Sequence, residues 1–309
     1  MMLREKYLNP FTDFGFKKLF GSEPNKDLLI DFLNQLLPPR HQIQDLSFTR
    51  NEQLGASDID RKAIFDLYCT SHSGERFIVE MQKAKQNYFK DRSLFYATFP
   101  IQEQAQRGDW DFKLAAVYLV GILDFVFAED ARDTEVCHRV ELKDQENRVF
   151  YDKLTFIYLE MPKFNKTEAE LETAFDKWLY VLKYLPALTD RPAKLQERVF
   201  AKLFEAAEIG KFNRDEMMQY EQSLKYYRDL KNVIDTAAVE GEQKGREEGR
   251  EEGRKEGRKE GEASKAVEIA RQLLRENLPL NLIARATSLS EDEIAALSRD
   301  STPQDNPAG

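Results

Sequence analysis

The spacing of apolar and polar residues predicts a mixed α/β fold in the first half of the chain. Apolar residues at helical spacing predict a helix from about Asn25 to Leu37, ended by Pro38 and Pro39. Three strand-like runs follow, and turn-forming residues separate the last two, which predicts a hairpin. These runs are QIQDLSFTRNEQ from Gln42, AIFDLYCT from Ala63 and ERFIVEMQ from Glu75.

The same pattern extends to about residue 164. Apolar residues among charges predict a helix over 87–107, interrupted near Pro100, and an apolar run predicts a strand over 113–127. Residues 137–161 resemble a second hairpin, with a polar turn at 143–147. Helix, three strands, helix, strand and hairpin together describe one α/β domain, predicted to span residues 1–164.

The second half of the chain is predicted to be helical. Apolar residues recur every three to four positions over 165–238, and a Gly/Glu/Arg repeat occupies 239–262. A small module follows at 263–299, and residues 300–309 are expected to form a disordered tail.

In the repeat, six of the chain's 14 glycines recur at every fourth position from Gly241 to Gly261. On a helix they would form a stripe without side chains, suited to close approach of another helix, while Glu and Arg or Lys supply partners one turn apart. Each glycine disfavours the helix by about 0.8–1.0 kcal/mol relative to alanine. A marginally helical linker and an oligomerising helix both fit the pattern.

The module at 263–299 contains three short helical runs, broken near Pro279 and Ser288. Ser290 and Glu293 form a capping-box pattern before the last run. The arrangement resembles a miniature helix-turn-helix. A three-helix packing or oligomerisation unit is the alternative, because Arg285 is the only base in the last two runs.

Composition and charge narrow the class of protein. The chain has 309 residues, of which 41% are hydrophobic and 33% charged, and no run of about 18 apolar residues marks a membrane span or signal peptide. A cytoplasmic location with no membrane partner is expected. Two cysteines do not support a disulfide framework, and a net charge of −9 argues against coating nucleic acid by bulk charge.

The first hairpin carries the candidate chemistry. An odd loop around Ser73 would pair Leu67 with Val79 and keep the apolar faces together, whereas a two-residue loop would mix the faces. The same register places Asp66 directly opposite Glu80. Carboxylates opposed across a ladder lie only about 4.5–5.5 Å apart at Cβ, so they repel unless a cation sits between them.

A divalent cation with hard oxygen ligands would relieve this repulsion, which favours Mg²⁺ or Mn²⁺. Gln82 points the same way as Glu80 and could orient a metal-bound water or a phosphate oxygen. A solvated hairpin face, with the acids meeting water or Arg61, is the alternative. Downstream, Lys83, Lys85, Lys90 and Arg92 outnumber Asp91 and are candidate contacts to a phosphate backbone, or a solvated helix face.

These motifs together resemble the PD-(D/E)XK nuclease superfamily and, within it, the Rpn family of recombination-promoting nucleases and transposases. The resemblance covers most of the chain and rests on the segments TDFGFKKLFG, FDLYC, IVEMQ and DRSLFYA, the glycine repeat and the helical tail. It implies a restriction-endonuclease-like core, a mixed sheet flanked by helices, followed by an α-helical C-terminal region.

By this resemblance, Asp66 and Glu80 would bind the catalytic Mg²⁺. Gln82 stands where most of the superfamily has a lysine, and a neutral amide could position a water but not activate it. Asp13 resembles an N-terminal family position and is a further candidate site residue.

The resemblance implies a metal-dependent DNA endonuclease acting in recombination or transposition, with DNA as its partner. A catalytically weak or inactive DNA-binding scaffold that keeps the fold, and self-associates through the repeat or the last helices, is the alternative. An RNA-directed or defence nuclease would share the same site.

Overall fold

The computed structural model describes residues 5–49, 52–53, 63–85, 88–105, 108–127 and 132–299. The predicted disordered tail at 300–309 and Arg61 lie outside the described residues. The chain divides into two compact units, residues 1–234 and residues 235–309.

The first unit opens with two short helices, α1 (Asp13–Phe20) and α2 (Lys26–Asn34). The Thr12 hydroxyl accepts the Gly15 N–H at 3.0 Å and so caps α1. A Cβ on Gly15 would lie 2.2 Å from the Asn9 carbonyl oxygen, so only glycine fits there. The predicted helix at 25–37 is confirmed, although its last turn is irregular before the two prolines.

Six of the eight described strands form one mixed sheet in the order β1-β4-β5-β6-β8-β7, while β2 and β3 pair separately. The helix α3 (Phe89–Gln102) joins β5 to β6. The strands are β1 (Leu46–Phe48), β2 (Glu52–Gln53), β3 (Ala63–Ile64), β4 (Leu67–Ser71), β5 (Arg76–Gln82), β6 (Val117–Leu123), β7 (Cys137–Lys143) and β8 (Val149–Glu160).

The β4–β5 hairpin has the register that the sequence predicts. Leu67 pairs with Val79, and the hairpin turns through Gly74, whose φ of +97° suits glycine. The alternation of faces along a strand predicts that Phe65 shares the face of Leu67, but Phe65 packs with Tyr68 and Ile78 in a different apolar cluster. The chain leaves strand geometry at Phe65 and Asp66, between β3 and β4, so the alternation of faces does not continue through this break.

Strands β5, β6 and β8 run parallel, and Gln82, Leu123 and Glu160 align across them. The carboxyl ends of three strands therefore meet at one edge of the sheet, the edge at which Glu80 and Gln82 lie. Open α/β sheets present their ligand sites at such edges.

Two predictions about the middle of the chain need correction. Helix α3 is not interrupted at Pro100 but runs through it, and the Glu103 N–H donates to the Phe99 carbonyl at 2.9 Å. Pro100 lies in the last turn, where its missing N–H removes only one bond at the end of the helix. The strand predicted over 113–127 is shorter, because only Val117–Leu123 pairs with neighbours. The second predicted hairpin is confirmed as β7 and β8.

Helices after residue 164 complete the core of the first unit. They are α4 (Ala174–Tyr184), α5 (Arg198–Ala207) and the first part of α6 (Arg214–Arg275). Trp178 is fully buried and its ring lies 5.8 Å from that of Phe20 and 5.2 Å from that of Phe200, between centroids. The segments on either side of the proposed boundary at 164 therefore share one apolar core.

The second unit contains the rest of α6 with α7 (Leu280–Thr287) and α8 (Glu291–Arg299). The glycine repeat is helical. Ala270, Ile283 and Ile294 form a small core of this unit. The predicted capping box is confirmed, since the Ser290 N–H donates to Glu293 Oε2 at 2.8 Å.

Among the described residues, no helix has both the length and the apolar character needed to cross a membrane.

Candidate active site

Asp66 and Glu80 lie together at the sheet edge, each bonded to the backbone of the other's segment. The Asp66 N–H donates to Glu80 Oε1 at 3.3 Å, and the Met81 N–H donates to Asp66 Oδ2 at 2.8 Å. The β4–β5 ladder ends at Leu67 and Val79, so the acids are not the directly opposed ladder pair that the sequence predicts. The structure nevertheless brings both into one site.

Both carboxyl groups are harder to ionise than usual. Burial raises the pKa of Glu80 to about 8, and the charge of Asp66 adds to the effect. Burial also raises the pKa of Asp66, and the charge of Asp13 raises it further. The hydrogen bond from the Met81 N–H has the opposite effect and lowers this pKa. A buried and a partly buried acid whose ionisation is disfavoured form a site at which a cation would be favoured.

On the α3 side of the sheet, Arg92 lies beside the acid pair. Its Nη2 donates to Gln82 Oε1 at 2.6 Å, and its positive charge lowers the pKa of Glu80. The guanidinium carbon lies 5.1 Å and 5.6 Å from the ring centroids of Phe89 and Tyr96. Gln82 Nε2 donates to the Ala84 carbonyl at 3.0 Å. The amide of Gln82 therefore holds the guanidinium close to the carboxylates.

On the opposite side, helix α1 brings further charges to Asp66. Asp13 forms an ion pair with Lys17 at 2.9 Å, and the charges of both act on the Asp66 carboxyl group. Burial lowers the pKa of Lys83, whose ammonium interacts with Asp13 and Asp66 and lies 5.7 Å from the ring centroid of Tyr226. The acid pair thus has lysines on one side and an arginine on the other.

The four residues predicted to contact DNA do not form one surface. Arg92 lies against Gln82, whereas Lys83 faces Asp13, Asp66 and Tyr226. Lys85 is exposed. Lys90 is exposed too, with its ammonium 4.5 Å from the ring centroid of Phe127.

The donor set at the site fits a hard divalent cation. Among the described residues, no group of three or more His, Cys, Asp or Glu side chains is arranged to hold a metal ion. Mg²⁺ retains several waters and is commonly bound by one or two carboxylates together with substrate phosphates. Asp66 and Glu80 meet this smaller requirement, and a cation between them would offset the repulsion that raises their pKa values.

Sequence reasoning missed three contributors to the site. The pairing of Gln82 with Arg92 has only a weak signal, an amide and a base ten residues apart across a strand–helix junction. Lys17 follows Asp13 at the i,i+4 spacing of a helical ion pair, which was a usable signal. No sequence signal pointed to Tyr226, because it lies 160 residues after Asp66 in the sequence.

The mixed sheet, the acid before β4 and the acid-x-amide end of β5 define a nuclease fold of the PD-(D/E)XK class. A family model of PD-(D/E)XK nuclease family transposases matches residues 10–237. The model of the C-terminal helix-turn-helix domain of the Rpn/YhgA-like nuclease family matches residues 263–299. The chain therefore belongs to the PD-(D/E)XK nuclease family of transposases, of the Rpn type, as the sequence motifs predict. Neither the curated proteins nor the solved structures contained a match.

Proposed function

We propose that the protein is a metal-dependent DNA endonuclease that hydrolyses phosphodiester bonds at the site of Asp66 and Glu80. The observation that carries this proposal is the mutual anchoring of the buried Glu80 and the partly buried Asp66, whose pKa values are both raised. Burying two acids side by side is unfavourable for folding, so such a pair is typical of functional sites. The nuclease and helix-turn-helix family matches support DNA as the partner.

In this proposal Asp66 and Glu80 hold Mg²⁺ or Mn²⁺. When bound there, such an ion would polarise the scissile phosphate and lower the pKa of the attacking water. The backbone N–H groups of Asp66 and Met81 each hold one oxygen of the opposite carboxylate, which limits rotation of both side chains. The acids are thus preorganised for a ligand between them.

Gln82 acts in this proposal through Arg92. The sequence assigns Gln82 to orienting a water, but in the structure its carbonyl oxygen accepts from Arg92 and its amide donates to Ala84. The guanidinium so positioned can favour the ionised form of Glu80 at neutral pH. It also provides a positive charge for the phosphate oxygens that gain charge in the transition state.

The remaining basic residues would bind the DNA backbone. Lys83 is beside the acids on the side of α1, and Lys85 extends the positive charge to the exposed end of the β5–α3 segment. Phosphate contacts of this kind position a strand without reading its sequence. Cutting at a transposon or recombination junction fits the family to which the chain belongs.

The test is cleavage of supercoiled plasmid by wild type, Asp66→Asn and Glu80→Gln in Mg²⁺, in Mn²⁺ and in EDTA. We expect metal-dependent nicking by wild type and a loss of about 100-fold or more in either variant, because a bound metal contributes several kcal/mol to the transition state. Asp109→Asn, at an exposed acid, is the matched control and should cut normally. Wild type that binds DNA but cuts in neither metal would favour the scaffold alternative.

A further inference from the structure

A groove of about 580 Å³, most of whose lining residues carry polar side chains, lies between α1 and the first part of α6. Asp13, Lys17, Gln222 and Tyr226 are among its lining residues. The Lys83 ammonium lies 5.7 Å from the Tyr226 ring centroid, and Lys83 directly follows Gln82 at the end of β5, so the groove lies near the site. The proposed function does not use α6, and the groove extends the site in that direction.

Three hydrogen bonds fix α6 in this place. The Phe14 N–H donates to Ser223 Oγ at 3.1 Å, and the Asn9 N–H donates to the Tyr220 hydroxyl at 2.9 Å. The Tyr227 hydroxyl donates to Asp124 Oδ2 at 3.0 Å, and the Asp124 N–H in turn donates to the Gln82 carbonyl at 2.9 Å. The helix segment that carries Tyr226 is therefore held to both α1 and the sheet edge.

Tyr226 itself is presented to solvent. It is 64% exposed although its helix is anchored on both sides, and its ring lies beside the ammonium of Lys83. An exposed aromatic ring on a rigid element, with a cation beside it, is the combination with which proteins stack nucleotide bases and hold their phosphates.

The charges of the groove suit a phosphodiester strand. Lys17 and its partner Asp13 are about half exposed, and ion pairs of such exposure contribute only about 0–1 kcal/mol, so a phosphate can replace the aspartate. Lys83 is partly buried at the junction between the groove and Asp66. A strand that follows these two lysines would pass from the groove to the carboxylates.

We propose that the groove binds a single DNA strand next to the cleaved phosphate, with Tyr226 stacking on a base and Lys17 and Lys83 contacting its phosphates. That the bound strand is DNA rests on the proposed nuclease function. The binding step requires no metal and no cleavage. The ligand class is therefore an unpaired or frayed DNA segment, for which the stacking is independent of sequence.

The first experiment locates the strand on the full-length protein in EDTA. A single-stranded oligonucleotide containing 5-iodouracil is photo-cross-linked to wild type, and the modified peptides are identified by mass spectrometry. We expect an adduct on the peptide that contains Tyr226 and none on the peptide that contains Phe150. Phe150 is an exposed aromatic control at the opposite end of the sheet, near the start of β8. Adducts confined to other peptides, including those of residues 263–299, would overturn the proposal.

The second experiment measures the contribution of the ring by fluorescence anisotropy with the same oligonucleotide and its duplex. We expect Tyr226→Ala to weaken single-strand binding about 5- to 150-fold, and Tyr226→Phe and Phe150→Ala to bind within about twofold of wild type. The duplex should be affected less, because its bases are already stacked. Single-strand affinity unchanged in Tyr226→Ala would also overturn the proposal.

These outcomes separate the groove from the cleavage chemistry. If wild type cuts no DNA but cross-links through Tyr226, the endonuclease function fails and the strand-binding groove stands. If wild type cuts plasmid and Tyr226→Ala binds and cuts as wild type does, the groove proposal fails and the endonuclease function stands.

Discussion

The Asp66 N–H donates to Glu80 Oε1, and the Met81 N–H, from the residue after Glu80, donates to Asp66 Oδ2. This reciprocal bonding holds two acids together at the end of a hairpin without an ordinary ladder pair between them. Since burial raises the pKa of both acids and the charge of Asp66 raises that of Glu80 further, we expect this site to respond to pH and to divalent cations.

The stability of the metal-free protein should fall as pH rises between about 4.5 and 8. The pKa of Glu80 is higher in the folded state, so over this interval the folded protein binds more protons than the unfolded chain, and the free energy of unfolding decreases with pH. One such group contributes a slope of at most about 1.4 kcal/mol per pH unit. Denaturant unfolding in EDTA at several pH values measures it. If the free energy of unfolding of Glu80→Gln depends on pH as steeply as that of wild type, Glu80 is not the group responsible.

Divalent cations should reverse this trend. Mg²⁺ or Mn²⁺ must displace a proton from the pair, so the rise in melting temperature on adding metal should be larger at pH 8 than at pH 6. Thermal unfolding with and without metal measures the shift. Asp66→Asn should lose it, while Asp109→Asn should retain it. A shift of equal size in Asp66→Asn would place the cation elsewhere.

Arg92→Gln should weaken metal binding at pH 7. The positive charge of Arg92 lowers the pKa of Glu80, so its loss should raise that pKa further and weaken the apparent affinity about three- to tenfold. The defect should shrink at pH 9, where Glu80 ionises without help. A metal titration of activity or melting temperature at both pH values tests this. Lys85→Gln removes a nearby exposed cation and is the control. If Arg92→Gln binds metal as poorly at pH 9 as at pH 7, the variant is misfolded and the electrostatic explanation fails.

Trp178→Ala should destabilise the whole first unit by about 3–5 kcal/mol, because the buried indole packs against rings from both α1 and α5. Its Nε1–H also donates to Asp31 Oδ1 at 2.7 Å, so Trp178→Phe should lose stability as well. Circular dichroism and the fluorescence of Trp110, the chain's second tryptophan, should report one shared transition. Val233→Ala, at an exposed position, is the control. Unfolding of the helices apart from the sheet would support separate domains divided at residue 164.

Replacing Gly245, Gly249 and Gly253 by alanine should strengthen helix α6 in the repeat. Apart from the backbone of its own helix turn and the adjacent residues, a Cβ at any of these positions would meet no atom within 4 Å, so each substitution should gain about 0.8–1.0 kcal/mol of helix propensity. Hydrogen exchange over residues 241–261 should slow in the triple variant. Faster exchange, or a smaller oligomer by light scattering, would show that another helix packs closely on the glycine stripe.

Local pattern was sufficient for much of the fold. The hairpin register followed from matching the apolar face of Leu67 with that of Val79, because a shift by one residue would have put every side chain of a strand on the wrong face. The capping box of Ser290 and Glu293 is also a local signal, since both partners lie within one helical turn. The period-two rule failed at Phe65, where the chain leaves strand geometry.

The sequence by itself determined the approximate positions of most strands of the main sheet, the pairing of the hairpin and the presence of two acids and an amide at its end. These depend on residues a few positions apart, for which hydrophobic period and turn chemistry are a direct guide. Tertiary packing alone decided that Arg92 holds Gln82, that Lys83 faces Asp13 and Asp66, and that Tyr226 stands beside them. Such proximities arise when separate helices bury their apolar faces on one core, and no local pattern encodes which polar side chains then meet.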